Sequence, residues 1–235
     1  MALTSPLKLL ALDTSTEHLS VAVQHASRVW VHSGVGGAQA SASLIPTIRS
    51  LLAQAHLSLD ELDALVFGRG PGSFTGVRTA CSVAQGLAFG ARGGLGISVL
   101  PIDTLLAVAE DARERHGCTQ VVAALDARMD EVYVARYQFG AGRWTGSGDF
   151  SVCAPEAVDV ADGWTIAGNA LVAYGPRLAP HAPHVDALPR AEALLRLAPA
   201  LLTAGLAQPA GAALPLYVRD KVAQTVAERA AQGFK

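Results

Sequence analysis

The sequence predicts an α/β protein built from two similar lobes, each with a mixed sheet flanked by helices. The chain has 235 residues, enough for two lobes of about 100 residues each. It is 51% hydrophobic and only 16% charged, so it has ample material for a buried core. Short apolar strands alternate with helical segments, and one strand–turn–strand pattern occurs twice.

The first half of the chain predicts a meander of three strands, followed by a helix, a strand, a second helix and a closing strand. Alternating or continuous apolar residues mark the strands. Ser58 and Glu61 have the spacing of a capping box, which predicts a short helical turn. In chain order, the predicted elements are strands 8–13, 18–24 and 28–35, helix 43–55, strand 64–68, helix 74–90 and strand 97–100.

The second half predicts a helix, two long strands, a tight turn, a short helix and a further strand. The expected elements are helix 103–115, strands within 121–139, a turn at 139–144, a short helix within 155–163 and strand 165–169. We therefore divide the chain into an N-terminal lobe, 1–102, and a C-terminal lobe, 103–214. A low-complexity connector covers 206–214, and a C-terminal helix within 215–235 is expected to pack back on the N-terminal lobe.

One strand–turn–strand pattern occurs in both halves at a constant offset of 113 residues. Ala11-Leu12-Asp13 is followed six residues after the Asp by Leu19, and Ala124-Leu125-Asp126 is followed in the same way by Val132. Amphipathic hairpins can match by chance, so duplication competes with coincidence. A duplicated meander followed by helix, strand and helix is the arrangement of the actin-like ATPase (ASKHA) fold. In that fold, the first hairpin of each lobe points at nucleotide phosphates.

The net charge and the cysteine pattern indicate the compartment in which the chain acts and the class of partner that it binds. The net charge is −2 without a Lys/Arg cluster, so any RNA would be gripped largely by another subunit. Cys81, Cys118 and Cys153 form no CxxC pair, which argues against a disulfide framework or zinc site. No two histidines have the i, i+4 spacing of a helical metal pair, so we expect no metal site. With neither a signal-peptide pattern nor an apolar run of about 18 residues, we expect a cytoplasmic chain without a membrane span.

The most specific motif is GRGPGSFTG, residues 68–76, which follows a predicted strand and opens a helix. Glycines allow close backbone approach, and a helix N-terminus attracts anions. The run lacks the Gly-Lys-Ser/Thr of a P-loop and the frame of a nucleophile elbow. Anion binding and a tight structural connection with a Ser or Thr cap are both open. Its candidates for anion or nucleotide contact are Gly70, Gly72, Ser73 and Gly76.

Asp13, Thr14 and Ser15 occupy the tip of the first predicted hairpin. In a phosphate-handling member of this fold, such a tip can hold a metal-bound water and phosphate oxygens. The competing interpretation is an Asx or Ser/Thr turn that closes the hairpin. Because Asp126 has the matching place in the second copy, the three residues join the candidates for anion or nucleotide contact. We assign no catalytic residue and no metal ligand.

Two helices carry patterns that suggest contact with another chain. The ridge Gly76, Ala80, Ala84 and Ala88 has almost no side-chain bulk, and small ridges let helix backbones approach closely. The preceding helix carries an apolar stripe of Leu44, Ile48, Leu51 and Leu52. The competing interpretation is that both sets pack inside the chain's own core. We expect them to form a partner-binding surface, and the isolated chain to be a homodimer through a four-helix contact.

Four segments together resemble the bacterial TsaB family, also called YeaZ. They are LALDTSTEHLSVAV, GRGPGSFTGVR, AALDARMDEVYVARY and the terminal PLYVR, and they span residues 9–219. The resemblance implies a non-enzymatic scaffold that binds the related threonylcarbamoyl-transferring subunit, with a small ATPase completing the complex. It also implies that tRNAs reading ANN codons are modified to threonylcarbamoyladenosine and are held mainly through the complex. This chain then needs no cofactor, and ATP or ADP and the metal belong to the partner subunits.

One position departs from the family pattern. The transferring subunits carry a His-xxx-His metal pair on the first helix, and many scaffold members keep one His four residues before the Leu at 44. Here that position is Ala40, which strengthens the scaffold interpretation. The alternatives are an actin-fold small-molecule kinase or ATPase, which needs a full adenosine loop after TIAGN, and a glycoprotease-like peptidase. The sequence has no Gly-Gly-x-Gly run in that place.

Overall fold

The computed structural model describes residues 6–37, 40–146 and 148–219. Within these ranges, eleven strands form two mixed sheets, and five α-helices lie on or between the sheets. The strands are β1 Leu9–Asp13, β2 His18–His25, β3 Arg28–Val35, β4 Ala64–Gly70, β5 Ser98–Asp103, β6 Gln120–Arg128, β7 Glu131–Gly140, β8 Arg143–Gly146, β9 Ser151–Cys153, β10 Thr165–Ala167 and β11 His184–Val185. The helices are α1 Ala40–Gln54, α2 Phe74–Gly90, α3 Thr104–His116, α4 Ala170–Tyr174 and α5 Ala191–Thr203.

The first sheet has the strand order β3-β2-β1-β4-β5. Strands β1, β2 and β3 form the predicted antiparallel meander, and β4 and β5 continue the sheet parallel to β1. All five residues of β1 are buried, which explains why its sequence is apolar without alternation until Asp13. Strand β3 and helix α2 have the predicted bounds, and the capping box at Ser58 and Glu61 is present.

Helices cover both faces of the first sheet. On one face, α1 and α2 pack against alternate residues of β1 and β2, such as Leu10 and Val21. On the other face, α3 and α5 pack against Leu9 and Ala22. Helix α3 also packs against the second sheet through Leu105, so it lies between the two sheets. The predicted fold class, two mixed sheets with flanking helices, is confirmed.

The second sheet repeats the topology of the first, with the order β11-β10-β6-β7-β8 and β9 paired to β7. The pairing register of the two hairpins differs by one residue: Asp13 lies opposite Ser20, whereas Asp126 lies opposite Val132. The second hairpin has a bulge between Asp126 and Arg128, followed by three residues with positive φ. A bulge adds one residue to one strand. With this extra residue, the hairpin keeps the same side chains facing the core although its turn is shorter.

Helix α5 was not predicted, although its apolar residues recur at helical spacing. It lies within the range assigned to the C-terminal lobe, yet it packs on the first sheet. The predicted lobe boundary stays a prediction. The residues that follow that range, 215–219, have no regular secondary structure, so they are not part of the expected C-terminal helix. Residues 220–235 lie outside the described residues.

A buried carboxylate ties three elements together. Glu110 of α3 accepts hydrogen bonds from Arg113 Nε at 2.9 Å, Trp144 Nε1 at 2.8 Å and Arg196 Nε at 3.1 Å. Burial alone would raise the pKa of Glu110, but the hydrogen bonds from Arg113 and Trp144 outweigh burial and lower the pKa. With its pKa lowered, the Glu110 carboxylate stays ionised. Because Trp144 lies on β8 and Arg196 on α5, this carboxylate joins α3 to both elements.

We expect Glu110→Ala to lower the free energy of unfolding by about 2–4 kcal/mol, because it leaves Arg196 and the Trp144 N–H without their acceptor. Glu114→Ala is the matched control, since Glu114 is half-exposed and pairs with Arg113 at 3.6 Å and with Arg196 at 4.0 Å. Its cost should stay below about 0.5 kcal/mol. Urea denaturation of both variants measures the difference, and equal losses would contradict the structural role of Glu110.

Candidate functional site

The tip of the first hairpin is a closed turn. Asp13 Oδ1 accepts hydrogen bonds from the Ser15 backbone N–H at 2.8 Å and from Ser15 Oγ at 2.7 Å. This is the Asx turn that competed with phosphate binding in the sequence interpretation. Asp13, Thr14 and Ser15 are all buried, with at most 2% of their surface exposed. The side chains at the tip therefore face the interior of the chain.

The glycine run packs directly on this tip. The Ser73 N–H donates to Ser15 O at 2.7 Å, and Thr14 Oγ1 donates to Gly76 O at 2.7 Å. A Cβ atom at Gly72 would lie 2.5 Å from Ser15 O, and a Cβ at Gly76 would lie 1.9 Å from Thr14 O. Only glycine permits such an approach of two backbones. The glycines at 72 and 76 are thus explained by packing within the chain.

The structure brings all seven candidates for anion contact together, and several N–H groups of the run donate within the chain. The Gly70 N–H donates to Thr104 Oγ1 at 3.1 Å, and the Gly76 N–H donates to Ser73 Oγ at 3.4 Å. With the Ser73 N–H bound to the hairpin tip, three N–H groups of the run already have acceptors. The start of α2 is therefore capped by its own chain.

One polar atom beneath the glycine run is unpaired within the described residues: Asp13 Oδ2 is buried and has no hydrogen-bond partner there. A Cβ at Gly68 would lie 1.8 Å from this oxygen, so the carboxyl group fits only because residue 68 is glycine. Burial raises the pKa of Asp13 to about 7, although the hydrogen bonds from Ser15 act in the opposite direction. Near neutral pH, Asp13 therefore exists in both protonation states.

The second hairpin tip has a different environment. Asp126 Oδ1 accepts hydrogen bonds from Tyr174 Oη at 2.6 Å and from the Arg128 N–H at 2.8 Å. Arg128 also forms ion pairs with Asp126 and with Glu17 of the first hairpin, so it joins the two tips. The two matching aspartates thus differ: one is buried without a charged partner, and the other is paired with an arginine.

The residues predicted to bind a partner are buried in the core of this chain. They are Leu44, Ile48, Leu51, Leu52, Gly76, Ala80, Ala84 and Ala88. The expectation that they lie on an exposed face is wrong, because the apolar stripe of α1 and the small ridge of α2 pack against the first sheet. The alanine ridge lets α2 lie close to the strands, which was the competing interpretation.

The outer surface of α1 and α2 is formed by other residues. An open groove of about 420 Å³ runs along α2 and is lined by Phe74, Thr75, Arg78, Thr79, Ser82 and Val83. Gly86 and Phe89 continue the exposed face, with Phe89 69% exposed, and Ile45 of α1 is 37% exposed. The sequence pattern that could have indicated this outer face is the second row of small residues beside the alanine ridge: Thr79, Val83, Gly86 and Gly90.

Metal-binding and membrane features were also expected to be absent. Among residues 6–37, 40–146 and 148–219, no group of three His, Cys, Asp or Glu side chains could hold a metal ion. In the same ranges, no helix is long and apolar enough to cross a bilayer. The three cysteines are free thiols, and Cys81 is buried.

The chain is similar to proteins of one family along most of its length. Residues 26–170 match the family model of TsaD, the tRNA N6-adenosine threonylcarbamoyltransferase. The chain is 35% identical over 228 residues to the tRNA threonylcarbamoyladenosine biosynthesis protein TsaB of Escherichia coli, covering 92% of this chain and 96% of that protein. It is 44% identical over 158 residues to TsaB of Haemophilus influenzae, covering 64% of this chain and 65% of that protein.

A solved structure supports the same assignment. YeaZ from Pseudomonas aeruginosa has a TM-score of 0.82 and 43% identity, covering 90% of this chain and 100% of that chain. The two mixed sheets and the matching family model define the class: an α/β protein with the actin-like fold of the TsaD family. Within that class, the chain belongs to the TsaB family, also called YeaZ. The resemblance seen in the four sequence segments is confirmed.

We expect Gly76→Ala to lower the free energy of unfolding by about 2–3 kcal/mol, because the new methyl group would overlap Thr14 O. Gly86→Ala on the same helix is the matched control, since a Cβ there meets nothing within 4 Å. That variant should gain about 0.5–1 kcal/mol from the better helix propensity of alanine. Urea denaturation checks both values. Similar effects at the two positions would show that the glycine run does not pack on the tip.

Asp13 makes stability depend on pH in a defined direction. Its pKa in the folded chain is about 7, above the usual value of 3.8, so the folded chain binds the proton more tightly. This stabilisation is fully present below the unfolded pKa and is lost as the pH rises through about 7. Relative to Asp13→Asn, the natural chain should lose about 2–3 kcal/mol of unfolding free energy between about pH 5 and pH 8. Denaturation of both proteins at the two pH values gives this difference, and a constant difference would refute the buried carboxyl assignment.

Proposed function

We propose that the chain is a non-catalytic subunit of the machinery that makes threonylcarbamoyladenosine in tRNA. Membership of the TsaB family, whose curated relatives carry that biosynthetic role in their names, supports the reaction. The observation that supports a non-catalytic role is the closed hairpin tip. Where phosphate-handling proteins of this fold hold their ligand, Ser73 and Gly76 of the chain itself pack on Thr14 and Ser15. The tRNAs are those that read ANN codons.

The chemistry then belongs to partner subunits. The proposed main partner is the threonylcarbamoyl-transferring subunit, which shares this fold and carries the histidine metal pair. The chain has Ala40 where that pair would begin. A small ATPase completes the complex, and ATP or ADP and the metal are bound by these partners. The net charge of −2 favours tRNA contact mainly through the assembled complex.

The outer face of α1 and α2 is the proposed partner surface. Its central residues on α2, Ser82 and Gly86, are exposed and small, so another helix can approach closely. Phe74 and Phe89 supply apolar area at the two ends of the helix, where they are 43% and 69% exposed. A partner of the same fold presents equivalent helices, which favours a four-helix contact. In the isolated chain, a second copy takes that place and gives a homodimer through the same face.

We expect Ser82→Arg to weaken binding of the transferring subunit at least about thirtyfold, because an arginine in the centre of a close helix contact separates the two backbones. The homodimer should weaken as well. Val172→Arg is the matched control, since Val172 is 87% exposed on α4. Pull-down and sedimentation measure the two assemblies. Nucleoside analysis of tRNA incubated with threonine, bicarbonate and ATP measures modification by the reconstituted complex.

Two outcomes would contradict the proposal in different ways. If Ser82→Arg retained full binding and modification, the partner surface would lie elsewhere on the chain. If the partner subunits made threonylcarbamoyladenosine at the same rate without this chain, the proposed role itself would be wrong. ATP hydrolysis by the isolated chain at about 1 per second or faster would favour the kinase or ATPase alternative.

A further inference from the structure

Residues 215–219, the PLYVR segment, have no regular secondary structure and contact both lobes of the chain. Here the first lobe is the first sheet with the helices on it, and the second lobe is the second sheet with its helices. On the first lobe, the Leu216 N–H donates to Arg69 O at 2.7 Å, at the end of β4. The Tyr217 hydroxyl accepts a hydrogen bond from Arg78 Nε at 2.5 Å, and its ring centre lies 5.7 Å from that of Phe74. Because Arg78 and Phe74 lie on α2, Tyr217 anchors the segment to that helix.

The same segment is anchored on the second lobe. Val218 packs against the apolar cluster between α3 and the second sheet. The guanidinium of Arg219 pairs with the Glu131 carboxylate and donates to Arg128 O at 3.3 Å. These contacts lie at the β6–β7 hairpin, the equivalent of the hairpin with the closed tip. Two neighbouring residues of the segment thus contact the second lobe directly after two residues that contact the first.

The segment covers the edge of the first sheet where open α/β sheets bind their ligands, outside the carboxyl ends of parallel strands. Strands β1 and β4 are parallel and end there, at Asp13 and Gly70. A Cβ at Gly70 would lie 2.7 Å from Leu216 O, so the segment lies against this strand end. Two residues earlier, Gly68 faces the unpaired oxygen of Asp13.

We propose that residues 215–219 are a clasp that holds the two lobes together, closes this sheet edge, and opens as one unit. The clasp goes beyond the proposed function, because it concerns the isolated chain and needs no partner. Its anchors are partly exposed: Tyr217 is 47% exposed, and the side chain of Glu131 is 40% exposed. Arg219 is more buried, with 14% of its side chain exposed. A partly exposed ion pair and a cation–aromatic contact are individually weak, so the clasp opens more readily than the whole chain unfolds.

Cys81 is a natural reporter for opening. Its thiol is buried on α2, and Sγ contacts Ala213 O at 3.5 Å, two residues before the clasp. Gln85 Nε2 donates to the same carbonyl at 2.8 Å. Opening that extends from the clasp back to Ala213 therefore uncovers Cys81. In a Cys118→Ser, Cys153→Ser background, a small thiol reagent at about pH 8 reports only the exposure of Cys81.

The experiment compares labelling rates of Cys81 in three variants of that background. Tyr217→Ala should raise the rate about tenfold, and Glu131→Gln, on the other lobe, should raise it about threefold, because each removes one anchor. Arg177→Ala is the matched control: it removes ion pairs with Asp130 and Glu156 beside the same hairpin but touches no clasp residue. Its labelling rate should equal that of the background protein.

Urea denaturation of each variant separates local opening from global unfolding. The clasp is supported if the labelling rate of Cys81 rises in both Tyr217→Ala and Glu131→Gln by more than the loss of unfolding free energy explains. Unchanged rates in both variants, or rises that follow global stability, would overturn it. A rise in only one variant would overturn opening as one unit. If Tyr217→Ala did not fold, Tyr217→Phe would replace it in the comparison, because it keeps the ring and removes only the hydroxyl that accepts the hydrogen bond from Arg78, and its labelling rate should rise as well.

Discussion

The contact between two backbones, the glycine run and the tip of the first hairpin, is the constraint on which the rest of this structure depends. It requires that residues 72 and 76 have no side chain, because the carbonyl groups of Thr14 and Ser15 occupy that space. It also uses the Ser73 N–H that would otherwise be free at the start of α2. The glycine run, a candidate for anion contact in the sequence, therefore also holds the start of α2 against the hairpin tip.

The position of α2 follows from this contact. With its first turn held on the hairpin tip, the helix places its alanine ridge on the first sheet and its second row of small residues toward solvent. The same helix also contacts the segment that contains Tyr217, through Arg78 and Phe74. One helix thus links the closed tip, the proposed partner surface and the connection to the second lobe. A subunit that works by binding benefits from such a rigid helix.

Sequence reasoning predicted most of the first lobe because its patterns are local. Strand β3 carries the apolar run 29–31 and α2 begins at a Ser cap, so both were predicted with their observed bounds. The hairpin tip and the glycine run were both named as candidates for anion contact, but their direct contact was not predicted. The buried face of α2 was not predictable from residue spacing, because Ala84 and Gly86 are both small although they lie on opposite sides of the helix. Helix α5 was missed because Pro199 interrupts its pattern.

The second hairpin shows a different limit. The turn after Asp126 was predicted, but Arg128, Met129 and Asp130 have positive φ, which non-glycine residues seldom adopt, so its conformation was not evident from the residue types. The one-residue register change between the two copies follows from that turn and from the bulge beside it. Tertiary contacts, such as the bond from Tyr174 to Asp126, hold the turn in place, and a sequence pattern does not contain them.

The closed tip is tested most directly by NMR on the isolated chain during addition of millimolar ATP with Mg²⁺. The backbone amide signals of Ser15, Ser73 and Gly76 report whether ligand reaches the tip, and Gly86 is the reference on the outer face of α2. If the glycine run closes the tip, ATP leaves the three amide signals at their positions, and the Ser73 amide hydrogen exchanges slowly with solvent. Saturable shifts confined to these three amides would show an open phosphate site and contradict the account.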